Sequence, residues 1–491
     1  MHLLPDRRAI GRWALLTAVL TTVVAAVPMA PMSAARSTAD IAESDESASL
    51  QWTPCGDDAA LQCARLTVPR DYADPSGGQV HLLVRRLPAA SSAPTGIVVT
   101  NPGGPGGSAA DALRSLGSGV IHEQFDIVSW DPRGIGNSSP TLRQCPVQFV
   151  GDGGLPPATG PVSWHRWGKQ AYDRNARANR ICRSRNRDLL SYVATTNTVK
   201  DLERLRVALG QDRLNYVGMS YGTTIGRLYA TAHPGRIRTM VLDGVVGPDP
   251  RVPTVLAERR HAMRVAWRMV SRALEPDLRR GYARITDRLL DRGSGKLDRV
   301  SFWSGAINAS RSPFNFGVFR LTLCQSMREL GLGFPPSCRA SMSATSSRQG
   351  SPALPLIDCG DQSGRISRDR ITRLASHAAR EGAQFGAFTL QYGTLCAGLP
   401  QAWNPLPVTR HRSLSTPPLL LNGTGDVATP MAGAWRTRRA FPGARMIRAV
   451  SSIHVLLEQP SPCIARRLMT YLVSRRLPGR DVTCAVPGLA D

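Results

Sequence analysis

From Gln79 to Arg86 apolar residues fall on every second position, Val80, Leu82 and Val84, with more polar neighbours between them. That is the mark of a strand with one buried face. The run from Cys55 to Val68 reads as another short strand, and the two bracket a turn at Asp74 to Gly78. The pattern then changes. Gly96 to Thr100 is continuously apolar, as in strands buried on both faces of a parallel sheet. Phe125 to Trp130, Leu214 to Val217, Arg238 to Val245, Pro418 to Leu421 and Ala444 to Val450 read as further strands. Helical spacing appears between them. Asn197 or Thr198 can cap a helix whose buried stripe is Leu202, Leu205 and Leu209 and whose stop is Gly210. A helix follows Gly222 and runs to His233-Pro234, and a last one covers Cys463 to Arg475.

Alternation of strand and helix fades between about Arg251 and Ser413. Val255 to Arg292 reads as helical with arginine-rich polar faces, and Asp369 to Gly382 as a second helix. The region is expected to be a helical insertion in a sheet of strand-helix repeats.

The junction between the strand at Leu214 and its helix reads Gly218-Met219-Ser220-Tyr221-Gly222, the one G-x-S-x-G in the chain. A serine on so tight a strand-to-helix turn has its hydroxyl pushed out at the carboxyl end of the sheet, and glycines two before and two after it relieve the crowding. The following helix aims free N–H groups at the place where an oxyanion would form. Upstream, the strand at Gly96 ends in Asn101-Pro102-Gly103-Gly104-Pro105-Gly106-Gly107-Ser108, a loop that can bring a second backbone N–H there. The expected donors are Gly104 and Tyr221.

Composition narrows the classes. The chain has 491 residues, enough for a sizeable core, with 42% hydrophobic residues and a formal charge of +25. Almost all of that excess is arginine, since lysine occurs only at Lys169, Lys200 and Lys296. No zinc-finger spacing, RNP-like aromatic run or long basic block supports a nucleic-acid reader. The excess permits weak binding to acidic envelope polymers. Arg7, Arg8 and Arg12 precede an apolar run from Trp13 to Val27 and small residues through Ala35. This reads as an export signal over 1–35, twin-arginine or general, leaving no stable membrane insertion after cleavage. Ten cysteines fit an exported, oxidised chain, and sequence neighbours suggest the pairs 55/63, 145/182, 324/338, 359/396 and 463/484. None has the spacing of a metal or redox site, and no metal or cofactor is expected.

Strand-helix alternation around an elbow is the α/β-hydrolase arrangement, which orders its chemistry as serine, acid, histidine. Asp426 lies in the loop after the strand at Leu419, and His454 follows the last predicted strand. His454 alone of the nine histidines has that place, while Asp243, ending the strand beside the elbow, reads as structural or pocket-lining. An imidazole there could take the Ser220 proton, and a buried carboxylate could fix its tautomer.

N-P-G-G-P-G-G-S, D-P-R-G-I-G-N-S, the run from Thr198 to Gly210, G-M-S-Y-G-T and V-L-D-G-V together resemble the secreted tripeptidyl aminopeptidase-like α/β-hydrolases, related to the prolyl aminopeptidases. Asp358-Cys359 through Asp426 to Cys463 and Cys484 resembles the TAP-like C-terminal segment of that family. The resemblance implies Ser220, Asp426 and His454 as a triad, Gly104 and Tyr221 as the oxyanion hole, and removal of residues or short peptides from free N-termini. It implies a leader over 36–50, a mostly parallel hydrolase core over 51–250 and 414–491, and a helical lid over 251–413. Two departures stand out: the family flanks its histidine with glycines where this chain has Ile453 and Val455, and Ala257 to Ala273 lacks cysteines often found there. A peptide or an ester substrate suits the triad equally, since fold and triad do not choose the acyl group. A non-catalytic envelope-binding protein is the reading from another class.

Overall fold

The computed structural model describes residues 49–489 apart from 57, 146–162, 292–298, 339–352 and 408–412. The expected export segment and nearly all of the leader lie outside these residues. Leu50, at the leader's end, is already buried in the core.

A ten-stranded sheet organises the fold, in the order β1-β2-β3-β5-β4-β6-β7-β8-β9-β10. Three strands, β1 (Thr53–Cys55), β2 (Asp58–Pro69) and β3 (Gln79–Leu87), are antiparallel and form one edge. The rest are parallel: β4 (Gly96–Asn101), β5 (Phe125–Trp130), β6 (Leu214–Met219), β7 (Ile237–Asp243), β8 (Leu419–Gly423), β9 (Arg445–Ala449) and β10 (Val482–Thr483). Every residue of β5, β6 and β8 is buried, as in strands covered on both faces of a parallel sheet. Period two still sorts their side chains between faces. Tyr216, Met240, Leu242 and Leu420 join one core, whereas Val217, Val241, Leu419 and Leu421 join the other.

Helices cover both faces. Between β4 and β5 lie α1 (Ala109–Leu116) and α2 (Val120–Gln124), and between β5 and β6 lie α3 (Trp164–Arg185) and α4 (Thr195–Ala208). Helix α5 (Gly222–Ala232) joins β6 to β7. The insertion holds α6 (Val252–Ala273), α7 (Pro276–Asp291), α8 (Arg299–Asn308), α9 (Pro313–Glu329), a short α10 (Cys359–Asp361), α11 (Arg368–Ala379) and α12 (Ala383–Gly393). The core resumes with α13 (Met431–Ala440) and closes with α14 (Pro462–Ser474).

Three sequence expectations are corrected. The single helix expected over Val255 to Arg292 is two, because Pro276 starts a new helix and cannot continue the old one. Helix α4 begins at Thr195, before the expected cap at Asn197 or Thr198, and Ala194 makes no side-chain cap there. Between the strand at Phe125 and the helix capped near Asn197 no element is expected, yet the stretch holding His165 is the long helix α3. It packs with the insertion: Trp164 and Trp167 sit within 5.8 Å and 5.6 Å of Trp303, ring centre to ring centre. Trp167 and Ala171 share a hydrophobic cluster with α6 to α12.

All ten cysteines are bonded, in the pairs 55/63, 145/182, 324/338, 359/396 and 463/484. Among the described residues no helix is long and apolar enough to cross a membrane.

Strands β4 and β6 lie side by side, with Asn101 level with Gly218. Beyond β4 the chain turns towards β5 on one side, and beyond β6 it turns towards β7 on the other. A crevice opens where neighbouring parallel strands send their connections in opposite directions, and ligands bind there in open α/β sheets.

Candidate active site

Ser220 stands at that crevice. Its φ is +53°, a conformation L residues seldom adopt. The turn is fixed from two sides: the Ser220 N–H donates to the Asp243 carbonyl at 2.8 Å, and the Thr223 hydroxyl donates to the Ser220 carbonyl at 2.6 Å. The flanking glycines are needed because backbone crosses backbone. A Cβ on Gly218 would fall 2.5 Å from the Gly222 carbonyl oxygen, and one on Gly222 would fall 2.5 Å from that of Asn101. The glycine loop after β4 comes equally close. A Cβ on Gly103 would lie 2.8 Å from both Ser220 Cβ and the Tyr221 nitrogen. Gly104, Ser220 and Tyr221 line one cavity. Tyr221 occupies the cap position of α5, so its N–H belongs to the unbonded first turn of that helix.

The acid and histidine expected from the sequence are in contact. His454 Nδ1 is 2.8 Å from Asp426 Oδ2, with Asp426 only 1% exposed. The backbone N–H groups of Ala428 and Thr429 donate to Asp426 Oδ1 at 2.9 and 3.1 Å. The Thr429 hydroxyl donates to Oδ2 at 2.6 Å and lies 3.3 Å from His454 Nδ1. The carboxylate is thus saturated by donors that fix its plane. The imidazole packs on the residue after Asp243, since a Cβ on Gly244 would lie 3.0 Å from His454 Cε1. Asp243 therefore joins the two halves of the site: its carbonyl holds Ser220, and its carboxylate accepts the N–H groups of Leu456 and Leu457 at 3.0 and 2.7 Å. Burial pushes the Asp243 carboxyl up to about 7, against those two donors. This is the structural role read from the sequence. The His454 N–H donates to the Arg311 carbonyl at 3.0 Å, so the insertion also steadies the histidine loop.

The valine after the histidine adopts a positive φ, the region that favours glycine. Val455 has φ +66° and ψ 101° and is buried in the core beneath the sheet. A β-branched residue there carries backbone strain of about 1–3 kcal/mol. Val455→Gly gives up about 1.5–3 kcal/mol of side-chain burial but relieves that strain. Val455→Ala gives up most of the burial and keeps part of the strain. Thermal melts should therefore rank glycine above alanine at this position, the reverse of their order within a regular helix or strand. A lower melting temperature for the glycine variant would refute the argument.

The sequence did not assign Asp358 and Asp361, which line the cavity with Ser220. Asp361 is 3% exposed. Its Oδ2 accepts the Thr195 hydroxyl, which also contacts the Tyr221 hydroxyl. Its Oδ1 is buried without a hydrogen-bond partner. Burial, reinforced by the charge of Asp358, raises the Asp361 carboxyl well above the usual range. Burial likewise pushes Asp358 up to about 6, against the pull of Arg259. The available signal was spacing, since two acids three apart on a helical turn share a face. Among the described residues no group of His, Cys, Asp and Glu is arranged to hold a metal ion.

This sheet, its crossover order and its strand-to-helix serine turn define an α/β-hydrolase-fold protein. The family model for the α/β hydrolase fold matches residues 96–319, and that for TAP-like protein matches 382–484. The chain has the α/β-hydrolase fold, and its C-terminal segment is similar to TAP-like proteins. It is 29% identical over 472 residues to a tripeptidyl aminopeptidase of Streptomyces lividans, covering 89% of this chain and 87% of that protein. It is 27% identical over 516 residues to serine protease Hip1 of Mycobacterium tuberculosis, covering 96% and 97%. Carboxylesterase B of the same species is 27% identical over 479 residues, covering 86% of each chain.

Proposed function

We propose that this chain is an exported serine aminopeptidase that removes residues or short peptides from free N-termini through an acyl-enzyme on Ser220. Asp426 holds the His454 Nδ1–H, which leaves Nε2 to take the Ser220 proton as Oγ bonds to the scissile carbonyl carbon. The N–H groups of Tyr221 and Gly104 receive the developing oxyanion. His454 then returns the proton to the departing amine, and water repeats the sequence to free the acyl group. Helices of the 251–413 region, with α3, serve as the lid that closes the acyl side. Five disulfides suit an oxidising compartment outside the cytoplasm.

The observation that carries the amine specificity is the unpartnered Asp361 Oδ1 in the cavity that Ser220 also lines. Arg227 and Arg259 line the cavity too, but Arg259 Nε already donates to the Ala428 carbonyl at 3.1 Å. An ammonium supplies the missing donor, and a cavity of about 150 Å³ leaves little room for an extended chain beyond it. Tripeptide anilides with free and acetylated N-termini test this. Asp361→Asn should lower kcat/KM for the free substrate about tenfold to a hundredfold, the worth of one charge-assisted hydrogen bond. The acetylated substrate should change less than about threefold. Equal cleavage of the two substrates by the wild-type chain would argue against amine recognition.

Preference for the free amine should also depend on pH. Asp358 binds a proton below about 6 and is then unable to attract an ammonium. The ratio of free to acetylated cleavage is expected to rise as pH increases through that value. Stability runs the other way: a carboxyl raised by burial favours folding while protonated, and that contribution is lost as pH rises from the unfolded value towards the folded one. A carboxylesterase reading has the carboxylesterase B likeness in its favour. Short-chain nitrophenyl esters cleaved far faster than any peptide amide would select it.

A further inference from the structure

An open trough of about 680 Å³ runs along the last turns of α14 and the segment leading into β10. Arg466 and Arg467 line it from the helix, Arg476 and Arg480 from the segment, and among the described residues no acidic one does. Asp481 is beside Arg480 in sequence, but its Oδ1 already accepts Arg438 Nε at 3.0 Å and the Met446 N–H at 2.9 Å. Positive charge accumulates further at this end of α14. The Arg238 guanidinium donates to the Leu472 and Val473 carbonyls at 2.6 and 2.8 Å, and exposed Arg475 is near enough to add to the burial that lowers its pKa.

The trough is braced on both walls. The 463/484 disulfide ties the start of α14 to the residue after β10, and the Ser461 hydroxyl donates to the Ala485 carbonyl at 2.6 Å. Arg445 Nε donates to the Gly479 carbonyl at 3.3 Å, which fixes the segment. Within the trough, Arg467 is anchored by a 3.0 Å bond to the Cys463 carbonyl. Four like charges held together without counter-charge repel one another, at a cost that a bound polyanion removes. Guanidinium groups match phosphate oxygens in paired hydrogen bonds, which carboxylate polymers offer with different spacing. Leu477 and Val482 are only partly exposed, so little apolar surface is offered to a bilayer.

We propose that this trough binds successive phosphate groups of a linear phosphate-bearing polymer. Its position leaves the candidate active site open. The trough lies where the chain enters β10, at the amino end of the parallel strands, whereas Ser220, Asp426 and His454 follow the carboxyl ends of β6, β8 and β9. The polymer therefore tethers the protein without obstructing the cavity.

Binding of medium-chain inorganic polyphosphate to the full chain tests the assignment, with melting temperature and ester hydrolysis followed on each variant. Arg466→Glu with Arg480→Glu should weaken binding at least about tenfold at 0.15 M salt and flatten its salt dependence. Arg65→Glu with Arg187→Glu, exposed on β2 and in the turn after α3, changes net charge equally and should alter affinity less than about threefold. Hydrolysis should be unchanged in both. An equal loss in the Arg65/Arg187 variant would reduce the effect to overall charge and overturn the proposal. So would binding to polyglutamate as tight as to polyphosphate, or trough-dependent capture of phosphatidylglycerol vesicles with no binding of the polymer.

Discussion

Ser220→Ala is expected to lower kcat for a free tripeptide anilide by about 10⁴-fold or more while leaving the fold intact. Ser220 sits at φ +53° because its N–H is bonded to Asp243 and its carbonyl to Thr223, and neither bond uses the side chain. Alanine keeps both bonds and the same strained φ, so the melting temperature should stay close to that of the wild type. Glycine keeps the bonds and loses the strain, about 1 kcal/mol or more. Ser220→Gly should therefore be as inactive as the alanine variant yet melt higher. A fluorophosphonate probe should label the wild type and neither variant. Labelling of Ser220→Ala, or hydrolysis within about tenfold of the wild type, would remove the serine from the chemistry.

Much of this site was legible because its parts sit at strand ends, and strand ends were legible. The apolar stretches within β4, β6, β7, β8 and β9 located the carboxyl edge of the sheet, and the order serine, acid, histidine then selected Ser220, Asp426 and His454 as candidates. Helix α3 escaped for a physical reason. Its buried face includes Asn175 and Asn179, which bond Thr394 Oγ1 at 2.6 Å and the Leu395 and Ala397 carbonyls at 2.9 Å. A helix that buries amides where hydropathy looks for leucines shows no apolar stripe. Asp361 escaped for another. Its role depends on Thr195 from the start of α4 and Tyr221 from the elbow, three segments distant in sequence that meet only in the folded chain. The histidine turn was half legible. No glycine flanks His454, yet Val455 accepts a positive φ and is held there by packing and by the Asp243 carboxylate bonded to the next two N–H groups.

Asp426→Asn should cost nearly as much activity as losing the serine, about 10⁴-fold in kcat, without unfolding the protein. The donors around the carboxylate determine how an amide must sit. Ala428 and Thr429 present two N–H groups to Oδ1, so the asparagine carbonyl oxygen takes that place and its NH₂ takes the place of Oδ2, beside His454 Nδ1. Nδ1 must then accept a hydrogen bond, which puts the ring proton on Nε2. A histidine in that tautomer has no lone pair to offer the Ser220 hydroxyl. The Asp426→Asn variant should keep its melting temperature within a few degrees, and nitrogen-resolved NMR of His454 should show the proton moved from Nδ1 to Nε2. A loss of less than about tenfold would mean that His454 does not depend on Asp426 for its tautomer, and the proposed proton path would fail.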